Sequence, residues 1–267
     1  MAALPLVIEL DPEEPEAGNV LVDGSVGGHP YRFLLDTGAA TSRVAYDDYT
    51  VGFASTAAHP SSGVFAPSHD DLITVPSIQI GPISRTNFTL ARATAGAQHA
   101  ANLVGMDILK DFRLYVDFAG HRLEIDGPDR LSNGRSWHAV RMGRRFHPYV
   151  EVRLGDTTAQ AVWDTGSSLT VADRRFVDRH PTYFTQIGDS TGTDSSGFEA
   201  ASPLYVMTGA LIGASVFPPH RVAAIDLSGV NATLEIPMNL ILGYSTLRHA
   251  DWLLDFPRAR WSFLRAP

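Results

Sequence analysis

The chain states one short pattern twice. Phe33-Leu34-Leu35-Asp36-Thr37-Gly38-Ala39-Ala40-Thr41 returns as Ala161-Val162-Trp163-Asp164-Thr165-Gly166-Ser167-Ser168-Leu169. Each copy is an apolar run that ends in an acid on a tight turn. At average residue usage a given tripeptide arises by chance in roughly one chain in ten of this size, and a pair in roughly one in several hundred. The agreement continues downstream, where Asn102-Leu103-Val104-Gly105-Met106-Asp107-Ile108-Leu109 is answered by Asn239-Leu240-Ile241-Leu242-Gly243-Tyr244-Ser245-Thr246-Leu247. One fixed shift lays Gly105 on Gly243, Leu109 on Leu247, Asp117-Phe118 on Asp255-Phe256 and Arg122 on Arg260. A fold for this chain therefore has to hold two equivalent halves, each presenting an acid at the end of an apolar strand.

Between these landmarks the pattern is one of short apolar or alternating runs separated by Gly, Pro and Asx turns, which predicts strands. The runs are Leu6 to Leu10, Val20 to Val22, Tyr31 to Leu35, Leu72 to Val75, Ile78 to Ile80, Phe88 to Ala91 and Arg113 to Phe118, then Tyr149 to Leu154, Gln160 to Trp163, Leu204 to Met207, Arg221 to Asp226 and Trp252 to Phe256. Helical signals are confined to Met106 to Phe112, Arg174 to Arg179 and Ser245 to Ala250. The fold class is mainly β. Asp126-Gly127-Pro128-Asp129 and Ser132-Asn133-Gly134 interrupt the hydrophobic pattern between the copies, so a lobe boundary is expected between Asp126 and Ser136, dividing the chain into 1–130 and 131–267.

The two-copy array resembles the aspartic proteases, in which each lobe supplies one Asp-Thr-Gly loop and a later apolar-apolar-Gly segment. The resemblance runs from about Val20 to Phe263. Val104-Gly105-Met106-Asp107-Ile108-Leu109, followed by Phe112 to Phe118, is similar to bacterial retropepsin-like domains, whereas Asp164-Thr165-Gly166-Ser167-Ser168 looks more pepsin-like. The resemblance implies a bilobal all-β fold of two fused retropepsin-like β-barrel lobes with a central cleft, active as a pseudo-dimer within one monomeric chain. It also implies an aspartic endopeptidase acting on an extended peptide, without cofactor, metal or covalent intermediate. The alternative is a catalytically silent, peptide-binding relative.

The chemistry gives these residue types their roles. Two carboxylates sharing one proton can activate water and protonate a carbonyl oxygen, because like charges about 3 Å apart do not both ionise; aspartic proteases are the standard example of this effect. Asp36 and Asp164 are the expected pair. Thr37 and Thr165 can bond across the two active loops, while Gly38 and Gly166 permit close backbone approach. Ser167 is expected to bond the outer oxygen of Asp164, which Ala39 cannot do for Asp36. Gly105 and Gly243 are expected beneath the acid-bearing loops as structural glycines, at positions with no room for a side chain. The segments His59 to His69, with Gly63 and Phe65, and Gly188 to Ala200, with Ser195, Ser196, Gly197 and Phe198, are candidate hairpins closing over a substrate. No tyrosine occurs between Val51 and Leu103, so Phe65 is the candidate lid residue where a pepsin-like chain would carry a flap tyrosine.

Other function classes fit poorly. The net charge is −8, with the acid excess in the first half, which leaves no basic footprint for nucleic acid. The longest weakly polar stretch, Tyr205 to Phe217, is too short to span a bilayer. With no cysteine, thiolate chemistry and disulfides are ruled out and the redox compartment is open. Met1 to Leu10 lacks the basic leader of a signal peptide, and localisation stays undetermined. No two of the histidines fall at helical HxxxH spacing; His69-Asp70-Asp71 reads as a solvated loop. Ser167-Ser168 has no Gly-x-Ser-x-Gly context. Asp117 and Asp255, each before Phe, are expected to form a turn or a salt bridge with Arg122 and Arg260. The acidic stretch Glu13 to Glu16 reads as a short tail.

Overall fold

The computed structural model describes residues 3–97, 100–127, 134–194 and 196–267. Among them the chain is mainly β, arranged in three sheets. An eight-stranded sheet runs in the order Val7–Leu10, Gly18–Val26, His29–Leu35, Leu103–Val104, Arg43–Val44, Ile83–Ala93, Pro67–Ile80, Ser55–Ser62. A ten-stranded sheet is built from strands between Arg141 and Leu242. The alternation that predicted strands is the alternation that packs them. In Pro148–Leu154 the side chains of Val150, Val152 and Leu154 are buried while Glu151 and Arg153 face outward.

The third sheet joins the two halves. Its six strands run Leu4–Pro5, Arg122–Ile125, Arg113–Asp117, Asp251–Asp255, Arg260–Arg265, His138–Ala139. At its centre Arg113–Asp117 pairs antiparallel with Asp251–Asp255, matching Leu114 to Leu254, Tyr115 to Leu253 and Val116 to Trp252. The shift that lays Gly105 on Gly243 also lays Tyr115 on Leu253, so each central strand pairs with its own copy and a pseudo-two-fold axis passes through that residue pair. Trp252 is fully buried there against Trp163 at 5.8 Å, Trp261 at 5.4 Å and Phe217 at 5.8 Å between ring centroids. This aromatic cluster ties the shared sheet to the strand that ends in Asp164. The repeated acids form the expected ion pairs, Asp117 with Arg122 at 3.5 Å and the fully buried Asp255 with Arg260 at 2.9 Å.

Several local expectations need correction. Leu72 to Val75 and Ile78 to Ile80 form one strand, Pro67–Ile80. Pro76, which has no N–H to give, is accommodated opposite Asn87 at positive φ, where the ladder skips a step. His69-Asp70-Asp71 is part of that strand and not a solvated loop: Asp70 is buried beside Arg43 at 3.8 Å and Asp71 meets Arg92 at 2.9 Å. Glu13 to Glu16 is no tail either. Glu14 is buried and meets Arg221 at 2.9 Å, Glu16 accepts the Arg221 N–H at 2.9 Å and lies 3.8 Å from Arg248, so this stretch is fastened to the C-terminal half. The helices are Met106–Leu109, Arg174–Arg179, Ser228–Asn231 and Tyr244–Leu247, the first and last shorter than the apolar pattern suggested. The expected lobe boundary at 130/131, with Pro128, Asp129, Ser132 and Asn133, lies outside the described residues.

Candidate active site

Each acid is delivered by the same local construction. The strand His29–Leu35 runs parallel to Leu103–Val104, and Thr157–Trp163 runs parallel to Leu240–Leu242. The N–H of Asp36 bonds Val104 O at 3.0 Å and that of Asp164 bonds Leu242 O at 3.0 Å, which pins each acid at the point where its strand turns. A short helix follows each glycine, and its first N–H bonds back under the turn: Met106 to Ala39 O and Tyr244 to Ser167 O, both at 2.8 Å. The turn is held so closely that a Cβ at Gly105 would lie 2.8 Å from Ala39 O, and one at Gly243 would lie 2.6 Å from both Leu169 O and Ser167 O.

The two loops interlock across the halves. Thr37 Oγ1 donates to Trp163 O at 2.8 Å and accepts the Thr165 N–H at 3.1 Å, while Thr165 Oγ1 accepts the Thr37 N–H at 3.3 Å. Both threonines are fully buried. The exchange is unequal, since Thr37 Oγ1 serves two backbone partners here and Thr165 Oγ1 serves one. Thr37→Val is therefore expected to cost about 2 kcal/mol of stability and Thr165→Val about 1 kcal/mol. Urea melts of the two variants check the order, and an equal or reversed cost would refute it.

The interlock sets the carboxylates face to face. Gly38 N–H reaches both, at 3.0 Å to Asp36 Oδ1 and 3.1 Å to Asp164 Oδ1. Ala39 N–H adds 2.8 Å to Asp36 Oδ1 and Gly166 N–H adds 2.8 Å to Asp164 Oδ1. Any side chain on either glycine would collide with the opposite acid: a Cβ on Gly38 falls 2.3 Å from Asp164 Oδ2, and one on Gly166 falls 2.3 Å from Asp36 Cγ.

The pair is electrostatically unequal. Burial, reinforced by the negative charge of Asp36, holds the Asp164 carboxyl well above its ordinary range. Burial raises Asp36 too, but the N–H groups of Ala39 and Gly38, a hydrogen bond with Asp164 and the charge of Arg43 pull it back. Both acids are raised, so the pair as a unit holds on to a proton above the ordinary carboxylate range.

Arg43 gave no sequence signal, because its effect depends on a two-residue strand, Arg43–Val44, that buries it beside Asp70. His147 was also missed. It is buried next to the Gly38 backbone, and burial together with the Arg145 charge pushes its ring below the usual histidine value. Ser167 departs from expectation: its hydroxyl donates to Leu169 O at 2.7 Å and so braces the turn instead of the carboxylate.

Residues 22–108 match the aspartyl protease family model. The matched segment begins in the strand Gly18–Val26 and ends just past Gly105, so it contains Asp36, the first hairpin and the strand that supports the acid. The comparison with curated proteins returns no match. Within the matched segment the candidate hairpin is formed by Ser55–Ser62 and Pro67–Ile80, which places Gly63 and Phe65 at its tip. Its counterpart is formed by Phe184–Thr193 and Glu199–Met207, with Gly197 and the exposed Phe198 at the tip; Ser195 lies outside the described residues.

Proposed function

We propose that this chain is an aspartic endopeptidase of two related retropepsin-like lobes, 1–130 and 131–267, with Asp36 and Asp164 as the catalytic pair at the cleft between them. The observation that carries this reading is the single Gly38 N–H shared by two opposed carboxylates, one buried and one partly buried. Asp36, ionised, takes a proton from water as the water oxygen bonds to the scissile carbonyl carbon. Asp164 gives its proton to the carbonyl oxygen in the same step, producing a tetrahedral diol. The proton gained by Asp36 then passes to the amide nitrogen as the C–N bond breaks, and one hydroxyl of the diol returns its proton to Asp164, leaving acid and amine with both carboxyls as they began. The substrate is an extended peptide, recognised through its backbone with side chains entering alternate pockets.

Incubating the chain with a diverse peptide mixture between about pH 3 and pH 8 and reading products by mass spectrometry tests this. Cleavage should follow a bell-shaped profile whose two apparent constants belong to the pair, with the upper limb displaced above the ordinary Asp range because burial and the Asp36 charge hold a proton on the pair. A folded chain that cuts nothing, yet binds extended peptides, would replace this reading with the silent peptide-binding relative.

A further inference from the structure

The two hairpins rise from different halves, yet one side chain joins their tips. Asp194 opens the five-residue turn of the second hairpin and is buried. Its Oδ1 accepts from its own turn, from Ser196 N–H at 3.0 Å, Ser196 Oγ at 2.5 Å and Phe198 N–H at 3.1 Å. Its Oδ2 crosses to the first hairpin and accepts the N–H of Phe65 at 3.1 Å. The approach is close enough that a Cβ on Gly63 would fall 2.0 Å from Oδ2. Beside this bond, Val64 and Phe65 pack on an apolar cluster of the C-terminal half that includes Val171, Ile225, Leu227 and Met238.

We propose that Asp194 is a positioning residue that latches the two hairpins together, so that they close as one roof. Its two oxygens have separate duties: one shapes its own turn and the other holds the opposite tip. A carboxylate suits this work because it accepts at both oxygens, and a bond to a charged acceptor is stronger than one between neutral groups. The latch is asymmetric, as the first hairpin contributes only a backbone N–H and an apolar tip while the second contributes the charge. Peptide enters when the Oδ2 bond to Phe65 breaks. That last step rests on the peptidase reading, whereas the latch does not.

Asp194→Asn separates the two duties. The amide oxygen can replace Oδ1 and keep the turn, which puts the amide nitrogen, a donor, against the Phe65 N–H. The reverse orientation would set that nitrogen against the backbone N–H groups of Ser196 and Phe198, two obligate donors. Amide hydrogen exchange on the full chain reads the result without reference to activity. In Asp194→Asn the Phe65 amide should exchange roughly ten- to a hundredfold faster, the worth of one hydrogen bond to a charged acceptor, while the amides of Ile73 and Leu90 in the sheet keep their rates. Ser196→Ala, which trims only a bond within the turn, should leave Phe65 unchanged. Unaltered exchange at Phe65 in Asp194→Asn, or acceleration spread equally through Pro67–Ile80, would reduce Asp194 to a turn former and overturn the latch. Peptide cleavage measured in parallel keeps failure of the latch distinct from failure of the peptidase reading.

Discussion

Replacing Asp164 by asparagine is expected to abolish peptide cleavage, with kcat falling on the order of 10⁴-fold, and at the same time to make the folded protein more stable at neutral pH. The first effect follows because asparagine has no carboxyl proton to give to the carbonyl oxygen. The second follows from linkage. An acid whose folded value is raised binds its proton more tightly when folded, so its contribution to stability is complete below the unfolded value and is lost as pH rises through the folded one. Asp164 is raised by burial and by the Asp36 charge, so at pH 7 the wild-type chain loses stability by holding the pair. Asparagine removes that cost, and Tm at pH 7 should rise by roughly 3 °C, with no gain near pH 3. Asp36→Asn should lose cleavage to the same degree, and the double variant no further, because the two carboxylates act as a unit. Measured kcat and calorimetric melts at the two pH values decide it. Cleavage that survives in either single variant would remove Asp36 and Asp164 from the chemistry.

Gly243→Ala should give the opposite pairing, loss of activity with loss of stability. The new Cβ would meet two backbone carbonyl oxygens at 2.6 Å, and neither can rotate away as a side chain could. Relief requires the turn at Ser167 to Leu169 to shift, which drags Asp164 off its place opposite Gly38. Overpacking of this kind costs about 3 kcal/mol, a fall in Tm of roughly 10 °C for a chain of this size. Gly105→Ala should cost less, since its nearest contact is 2.8 Å to Ala39 O. Thermal melts and kcat on the two variants separate a support role from a chemical one. If Gly243→Ala melted like wild type, the close approach would be relieved more cheaply than these distances allow.

What was legible in the sequence was local or repeated. Asp36 and Asp164 stand at the ends of apolar strands, Gly105 and Gly243 each follow an apolar pair, and both signals lie within a few residues of the structure they dictate. The strand alternation was equally local, though Pro76 made one long strand look like two. The electrostatics of the acids were not legible, because they depend on burial, on the N–H groups that reach each carboxylate and, to a smaller degree, on the buried Arg43. The Ser167 hydroxyl was assigned to the carboxylate from its place after Asp-Thr-Gly, but it donates to Leu169 O at 2.7 Å. Asp194 reads as an ordinary turn residue, and its crossing bond to Phe65 exists only once both halves have folded.

Among these features the pairing of Tyr115 with Leu253 has the widest reach. A strand that pairs antiparallel with its own copy makes a self-complementary contact, the kind by which two identical subunits associate. Here the two copies share one chain, so their encounter is intramolecular and proceeds at an effective concentration set by the connecting segment, not by how much protein is present. Dilution that would dissolve an equivalent pair of separate subunits leaves this sheet assembled. Freed from the need to be identical, the copies can diverge, one carrying a buried arginine whose charge acts on its acid and the other a carboxylate at its hairpin tip.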